Sequence, residues 1–579
     1  MILVVWLLAT DRVSPALAVL GASVTLMVLG ITTPQQAFAG FSNPAPITVA
    51  ALYIVARAVE KTGALQPLVS GVLDGGGRGR RSLLRILAPT AGASAFLNNT
   101  PIVAMLAPQV ADWADRRGQP AAWFLMPISF AAILGGTITV IGTSTNLVVS
   151  GLLEAAGERP IGMFEVSPVG LPLALIGIGA VVILAPLLLR DRRGVRQQLE
   201  QDLREFVVDM VVEPGGPLHG RTVERAGLRN LKGVFLAHIQ REGETIAPAG
   251  PETVLRGGDR LAFVGRANQI VDLQAIRGLR SAEHRHVADF GKASEHTFFE
   301  AVVSGTSPLA GKTLKSTGFR GRYQAAVLAI HRSGDRVHAK LGDVVLHAGD
   351  TLVLLADHGF RDRWRDRSDF LLVSKLGGAP PVSTRKAWLV AAITAGIVVV
   401  AGAGFVPILQ AAVTGAMALV LLRVLSPAEA RAAVDLDVII VIAAAFGIGA
   451  AIETSGLASL VAGSLISVFE GFGPYGLLFG VLVATVISTE IITNNAAAVL
   501  VFPIAAATAA AAGLDVRPFA VAVMFGASAS FLTPIGYQTN TMVYGPGGYR
   551  FGDYARLGLP LTIIMIGTVL LLVPRVWSF

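Results

Sequence analysis

Uncharged apolar runs alternate with short charged stretches along this chain, and two of the runs are broken in the middle by polar residues. The runs cover Val13–Ile31, Pro46–Ala56, Ile86–Ala111, Ala121–Leu153 and Leu171–Leu189. After a long charged region they resume as Ala387–Leu422, Val438–Ile452, Leu477–Leu514 with one acid inside, Pro518–Tyr549 and Leu557–Val573. Most exceed the roughly 18 residues that mark a membrane helix, so the pattern predicts a polytopic α-helical membrane protein. Ala387–Leu422 is too long for one span and is expected to turn near Gly404 and Pro407.

The polar breaks come in matched pairs. F-L-N-N-T-P at Phe96–Pro101 and I-T-N-N-A-A at Ile492–Ala497 each sit inside an apolar run, and each is followed by a second break, G-T-S-T-N at Gly142–Asn146 and G-Y-Q-T-N at Gly536–Asn540. Asn494 follows Asn99 by 395 residues, Asn540 follows Asn146 by 394, and Gly456 follows Gly63 by 393. Paired interruptions at corresponding places in two halves point to a transporter's binding site at the bilayer midplane.

Arginine placement gives the halves opposite orientations. Arg78, Arg80, Arg81 and Arg85 precede the first Asn-Asn segment, and Arg116 and Arg117 follow it, so both of its ends face the cytoplasm. Residues 86–111 then form a re-entrant hairpin. Ala432–Val516 holds no Lys or Arg, so the matching hairpin near residues 476–513 enters from outside, and Arg550 and Arg556 mark the next cytoplasmic loop. The expected fold is two inverted repeats, each with a re-entrant hairpin and a broken helix.

Composition agrees: 53% of the 579 residues are hydrophobic, 15% are charged, and mean hydropathy is +0.63. The net charge of +8 reads as cytoplasmic-loop bias, not as a nucleic-acid surface. With no cysteine, disulfides, thiolate metal sites and cysteine nucleophiles are excluded. Met1–Ala9 lacks a basic lead-in and is too short to span alone, so it is not expected to be a cleaved signal.

The charged middle is a tandem repeat. L-H-G-R-T-V at Leu218–Val223 matches L-A-G-K-T-L at Leu309–Leu314, and the offset of 91 recurs between Gly243 and Gly334 and between Gly258 and Gly349. Strand-like runs separated by Gly turns predict two small α+β modules. The expected boundaries are residues 1–190 for the first membrane repeat, 191–205 for a linker, 206–285 and 286–360 for the modules, 361–385 for a return linker, and 386–579 for the second repeat.

Inside hydrocarbon, non-helical backbone is tolerated only where protein or a hydrated cavity surrounds it, so Asn98, Asn99, Thr100, Thr493, Asn494 and Asn495 are not expected to face lipid. Free N–H groups at a hairpin tip attract an anion, while carbonyl and amide oxygens ligate a hard cation. No Lys, Arg or His lies within Ser94–Met105, Thr137–Val149, Thr489–Leu500 or Ser528–Met542, so helix ends, hydroxyls, amides and co-bound cations must hold the anion. Glu490 beside the second tip is a candidate proton or cation site, against a structural acid at the hairpin base.

The N-N-T and T-N-N tips resemble the paired Ser-Asn-Thr signatures of the divalent anion:sodium symporters, and T-P-I-G-Y-Q-T-N-T-M-V-Y-G-P-G-G-Y-R at Thr533–Arg550 is similar to the sulfate-permease-like branch. The resemblance implies an elevator-type Na⁺-coupled symporter of sulfate or a similar divalent anion, homodimeric, in the inner (plasma) membrane. It implies two Na⁺ sites as coupling-ion sites: Ser94, Asn98, Asn99 and Gly142 in one, Thr489, Ile492 and Asn494 with backbone near Gly536 in the other. The anion is expected among Asn99, Thr100, Asn494 and Asn495, with Thr143. The modules resemble cytoplasmic TrkA-C (RCK-C) domains, which leaves three roles open: binding of a small regulatory ligand such as a cyclic dinucleotide, dimer contacts, or a passive scaffold. Asn98, Thr493 and Asn495 depart from the signature, as does G-T-S-T-N from Gly-Thr-Pro-Pro-Asn; oxygen ligands survive, but pocket size changes.

Two other readings compete. A Na⁺- or H⁺-coupled di- or tricarboxylate carrier differs only in substrate. An RCK-regulated channel would need a filter, and Gly142–Asn146 lacks one; a non-transporting sensor would bind without flux. No catalytic triad, metal set or carboxylate pair suggests an enzyme, no organic cofactor is expected, and no nucleic acid polymer is expected as a partner.

Overall fold

A computed structural model describes residues 6–7, 13–65, 79–189 and 386–579, and in the middle region 207–228, 234–241, 244–246, 249–265, 276, 278–281, 296–304, 307–332, 335–337, 341–357, 359–364, 367 and 369–375. Most of the N-terminal apolar stretch, the expected linker 191–205 and residues 376–385 lie outside the described residues. The chain forms two compact units: Met1–Asp191 with Pro380–Tyr544 and Tyr549–Phe579, and Arg192–Ala379 with Gly545–Gly548.

The first unit is helical. Six of its helices are long and apolar enough to cross a membrane, and six more are shorter and apolar, among the described residues. Local chemistry starts and stops them. Pro sits at the first helical position of Pro15–Val28, Pro34–Phe38, Pro44–Thr62 and Pro427–Ala433, where its missing N–H costs nothing. Gly63 closes Pro44–Thr62 in the left-handed conformation at φ +63°. Gly404, at φ +75°, lies in the turn between Ala387–Gly402 and Ile408–Leu421.

Several described elements of the two halves correspond in order and spacing. Pro15–Val28, Pro34–Phe38 and Pro44–Thr62 correspond to Ile408–Leu421, Pro427–Ala433 and Leu436–Thr454, whose starts lie 392 or 393 residues later. The capping boxes recur too. Thr33 with Gln36 and Ser426 with Glu429 each satisfy two free N–H groups at the start of the short helix. Ala122–Gly136 and Val516–Ser528 also correspond, and nearly every side chain on both is buried. Helices apolar on all sides belong at the centre of the protein. Ala387–Gly402, by contrast, buries only Val390 and Ile397 and leaves Trp388 and Val399 exposed, as lipid-facing helices do.

The first hairpin is longer than its uncharged run suggested, and the second is shifted a few residues toward the N-terminus. The first is Arg80–Ser94 and Asn99–Arg116, the second Gly473–Ile491 and Asn494–Ala511. Arg80, Arg81 and Arg85 at one foot of the first hairpin and Arg116 at the other are helical, because a charged residue breaks the apolar run without breaking the helix.

The second unit holds two antiparallel five-stranded sheets. Strands β1 Val207–Val212, β2 Val234–Arg241, β3 Glu244–Ile246, β4 Arg260–Gly265 and β5 Leu279–Ser281 are ordered β3-β2-β4-β1-β5. Strands β6 His296–Val303, β7 Ala325–Arg332, β8 Asp335–Arg336, β9 Thr351–Asp357 and β10 Phe370–Lys375 repeat that order as β8-β7-β9-β6-β10. The stretch expected as a return linker from residue 361 differs: Phe360–Trp364 is helical, and Phe370–Lys375 pairs with β6. Phe370 buries its ring in the second module's core with Phe299, Phe360 and Tyr323, which holds this segment on the sheet.

Candidate functional site

The polar breaks of the first unit lie where helices stop and restart. Ser94 ends one helix and Asn99 begins the next; Ile491 ends another and Asn494 begins its successor. The second breaks span the starts of Ser144–Ala155 and Gln538–Tyr544. Each restart frees backbone N–H groups within the protein.

Hydrogen bonds run from each tip to the break of the opposite half. Thr100 Oγ1 donates to Gln538 Oε1 at 3.4 Å. In the other direction, Ser144 Oγ donates to Asn495 Oδ1 at 3.1 Å, and Asn494 Nδ2 donates to Thr145 Oγ1 at 2.9 Å. Thr100 and Asn495 hold equivalent places in the two tips, as Gln538 and Ser144 do in the two breaks. The crossed bonding is therefore built from matched positions.

Asn99 is the most connected of these residues. Its buried amide lies among Ser94 Oγ, Ala132 O, Gly142 O and the Tyr537 hydroxyl. Turned with its nitrogen inward, it donates to Ala132 O at 3.1 Å and to Gly142 O at 3.3 Å, while its oxygen accepts from Tyr537 at 2.7 Å. Tyr537 Oη lies 3.2 Å from Thr143 Oγ1. Ser94, Asn99 and Gly142 are thus brought together, and the Asn98 side chain hydrogen-bonds Tyr53.

Gly142 and Gly536 line two equivalent, crowded cradles. A Cβ on Gly142 would lie 2.6 Å from Gly136 O and 2.7 Å from Ser94 O. One on Gly536 would lie 2.1 Å from Ser530 Oγ and 2.8 Å from Thr489 O. Ser94 and Thr489 correspond at the 395-residue offset. Thr489 places its carbonyl there, and its hydroxyl, which donates to Ala527 O at 2.7 Å, keeps its oxygen lone pairs free. Ile492, apolar and buried, has only a backbone oxygen to offer. These neutral oxygens are the donor type that suits a hard monovalent cation, so both cradles fit Na⁺.

The second cradle carries an extra acid. Glu490 accepts from Leu532 N at 2.7 Å and from Thr533 Oγ1 at 2.8 Å; Ala95 holds the corresponding place in the first half. Asn146 and Asn540 brace the breaks alike, Nδ2 donating to Thr139 O at 3.0 Å and to Thr533 O at 3.2 Å, each seven residues upstream.

Tyr537, Ser144, Thr145 and Gln538 lie within the G-Y-Q-T-N and G-T-S-T-N breaks, but the breaks alone assign them no individual role. One signal points to them: at the 394-residue offset Tyr537 stands in the place of Thr143, and Gln538 and Thr539 in those of Ser144 and Thr145.

Residues 3–526 match the family model described as a citrate transporter, CitMHS. Among curated proteins, an uncharacterized transporter of Synechocystis is 36% identical over 96% of this chain and 92% of its own. A Chlamydomonas reinhardtii protein, provisionally named a sulfur deprivation response regulator, is 36% identical over 94% of this chain and 95% of its own. Sodium/sulfate cotransporter 1 of the same alga is 26% identical over 98% of this chain and 88% of its own. The crystal structure of the Alcanivorax borkumensis YdaH transporter aligns at TM-score 0.44 and 12% identity, covering 99% of this chain and 97% of that one.

Proposed function

The chain belongs to the CitMHS citrate-transporter family of membrane transporters, and from that premise we propose that it is a Na⁺-coupled symporter of sulfate or a similar divalent anion. The observation that carries this reading is the meeting of helix starts at hydrogen-bonded, uncharged tips. Asn99–Arg116, Asn494–Ala511 and Ser144–Ala155 all begin there. Each helix N-terminus carries about +0.5 elementary charge, so three supply roughly +1.5 toward an anion without a basic side chain. Asn99, Thr100, Thr143, Asn494 and Asn495 add amide and hydroxyl donors.

Ser94, Asn99 and Gly142 would hold one Na⁺, and the carbonyls of Thr489 and Ile492 with Asn494 and Gly536 a second. Bound there, Na⁺ supplies positive charge that offsets that of the anion. The helix bundle that carries the tips then moves across the membrane as a body against a static, dimer-forming scaffold, in an elevator movement at the inner membrane. The middle modules are cytoplasmic TrkA-C domains open to a small regulatory ligand. The sodium/sulfate cotransporters among the relatives favour sulfate; the family description favours a carboxylate as the second reading.

Uptake of labelled sulfate into proteoliposomes, with and without an inward sodium gradient and with succinate or citrate as competitor, tests this. Sulfate uptake that ignores sodium overturns the coupling. Preferential uptake of a carboxylate overturns the substrate.

A further inference from the structure

Tyr537 stands between the first ion cradle and the anion-facing hydroxyls, with its ring buried and its oxygen 2.7 Å from the Asn99 amide and 3.2 Å from Thr143 Oγ1. A hydroxyl has one proton, so between two partners it donates to one and accepts from the other. Asn99 decides which. With its nitrogen toward Ser94, Ala132 and Gly142, its oxygen takes the Tyr537 proton, and Thr143 must then donate to Tyr537. With its oxygen toward Ser94, its nitrogen donates to Tyr537, which turns its own proton to Thr143. The first orientation suits an empty cradle, because the amide N–H groups fill the place of a cation. The second suits an occupied one, because a cation repels N–H groups and attracts an amide oxygen.

The geometry points to Tyr537 as a positioning residue that links the two sites: turning the Asn99 amide reverses the Tyr537–Thr143 hydrogen bond and frees the Thr143 proton for the anion. No covalent bond changes; one amide turns over and two hydroxyls rotate. The device rests on the sodium-coupled reading above. It gives the anion an extra donor only when the first cradle is filled, and a hydrogen bond to a charged group is worth about tenfold in affinity.

The test uses the purified full-length protein, wild type and with Tyr537→Phe or Thr143→Ser. Three quantities are read: labelled-sulfate binding at low and high sodium, thermal stabilisation by sodium without sulfate, and the sodium-induced infrared difference spectrum. Tyr537→Phe is expected to keep the thermal stabilisation and to lose about tenfold of the sodium-linked gain in sulfate affinity. Thr143→Ser, which keeps the hydroxyl, is expected to retain that gain. A sodium-induced shift of a tyrosine C–O stretch is expected in wild type and absent from Tyr537→Phe.

A full sodium-linked gain in Tyr537→Phe overturns the inference, as does a wild-type infrared spectrum without a tyrosine signal. Loss of thermal stabilisation in Tyr537→Phe also overturns it, by placing the hydroxyl in the ion site itself. If wild-type sulfate affinity ignores sodium, the failure is of the coupled-transport reading, a result distinct from these.

Discussion

The absence of a side chain at Gly142 and Gly536 leaves room for neighbouring oxygens, and a single methyl tests that room. Gly142→Ala and Gly536→Ala both place a Cβ under 3 Å from buried oxygen atoms, so the backbone must move. Each is expected to lower sodium-dependent uptake at least tenfold at unchanged folded yield. Gly92→Ala, in the first hairpin with nothing within 4 Å of the added carbon, is expected to keep wild-type uptake; a loss there equal to that at Gly142 would show that added bulk is harmful wherever it is placed near the tips. Asn99→Ala and Asn494→Ala should abolish uptake without loss of folded protein, and normal uptake by both would remove these amides from the site. Asn99, Asn494, Gly142 and Gly536 were legible because a polar residue or glycine in an apolar run breaks the pattern. Tyr537 was legible only as a member of the G-Y-Q-T-N break; its own part in the site was not, since only its hydrogen bonds show what the polar end of the ring reaches.

Strands and helices show what periodicity can and cannot carry. Arg241, ending β2, donates to both carboxylate oxygens of Asp259 at 2.8 Å and to Val254 O; Arg332, Asp350 and Val345 repeat this 91 residues later. Offset alone does not disclose such a bond, because neither residue stands out in a charged region. Burial opposes ionisation of Asp259, yet the Arg241 hydrogen bonds and charge outweigh it and hold the carboxyl below the usual carboxylate range. A depressed folded pKa stabilises the module above the unfolded value near 4 and ceases to do so as pH falls through the folded value. Hydrogen exchange in β1–β5 should therefore quicken below about pH 4, and less so in Asp259→Asn. Arg241→Ala removes the guanidinium from a buried carboxylate that keeps only the Arg256 N–H, and should destabilise this sheet by about 3 kcal/mol, seen as faster exchange at neutral pH with β6–β10 unchanged. Unchanged exchange in β1–β5 would show that the pair contributes nothing.

For the molecule as a whole, the extent of the second sheet decides how the middle region can be removed. F-L-L-V-S-K at Phe370–Lys375 follows a charged stretch and reads as linker, yet it is β10, and its start lies 91 residues after that of β5. Cutting residues 206–357 removes β6, its only partner in the sheet, and strands an apolar segment with unpaired N–H and C=O groups. That deletion is expected to aggregate. Cutting residues 206–375 removes both sheets whole and is expected to give monodisperse protein in detergent, by size-exclusion chromatography. The pair of deletions separates two meanings of lost transport that one deletion would confuse. If the longer deletion transports sulfate with altered KM or turnover per folded molecule, the modules bias the carrier's conformational equilibrium, as a regulatory ligand acting through them requires. If only abundance falls, they serve the stability of the chain, and a ligand bound to them would have no conformational preference to act on.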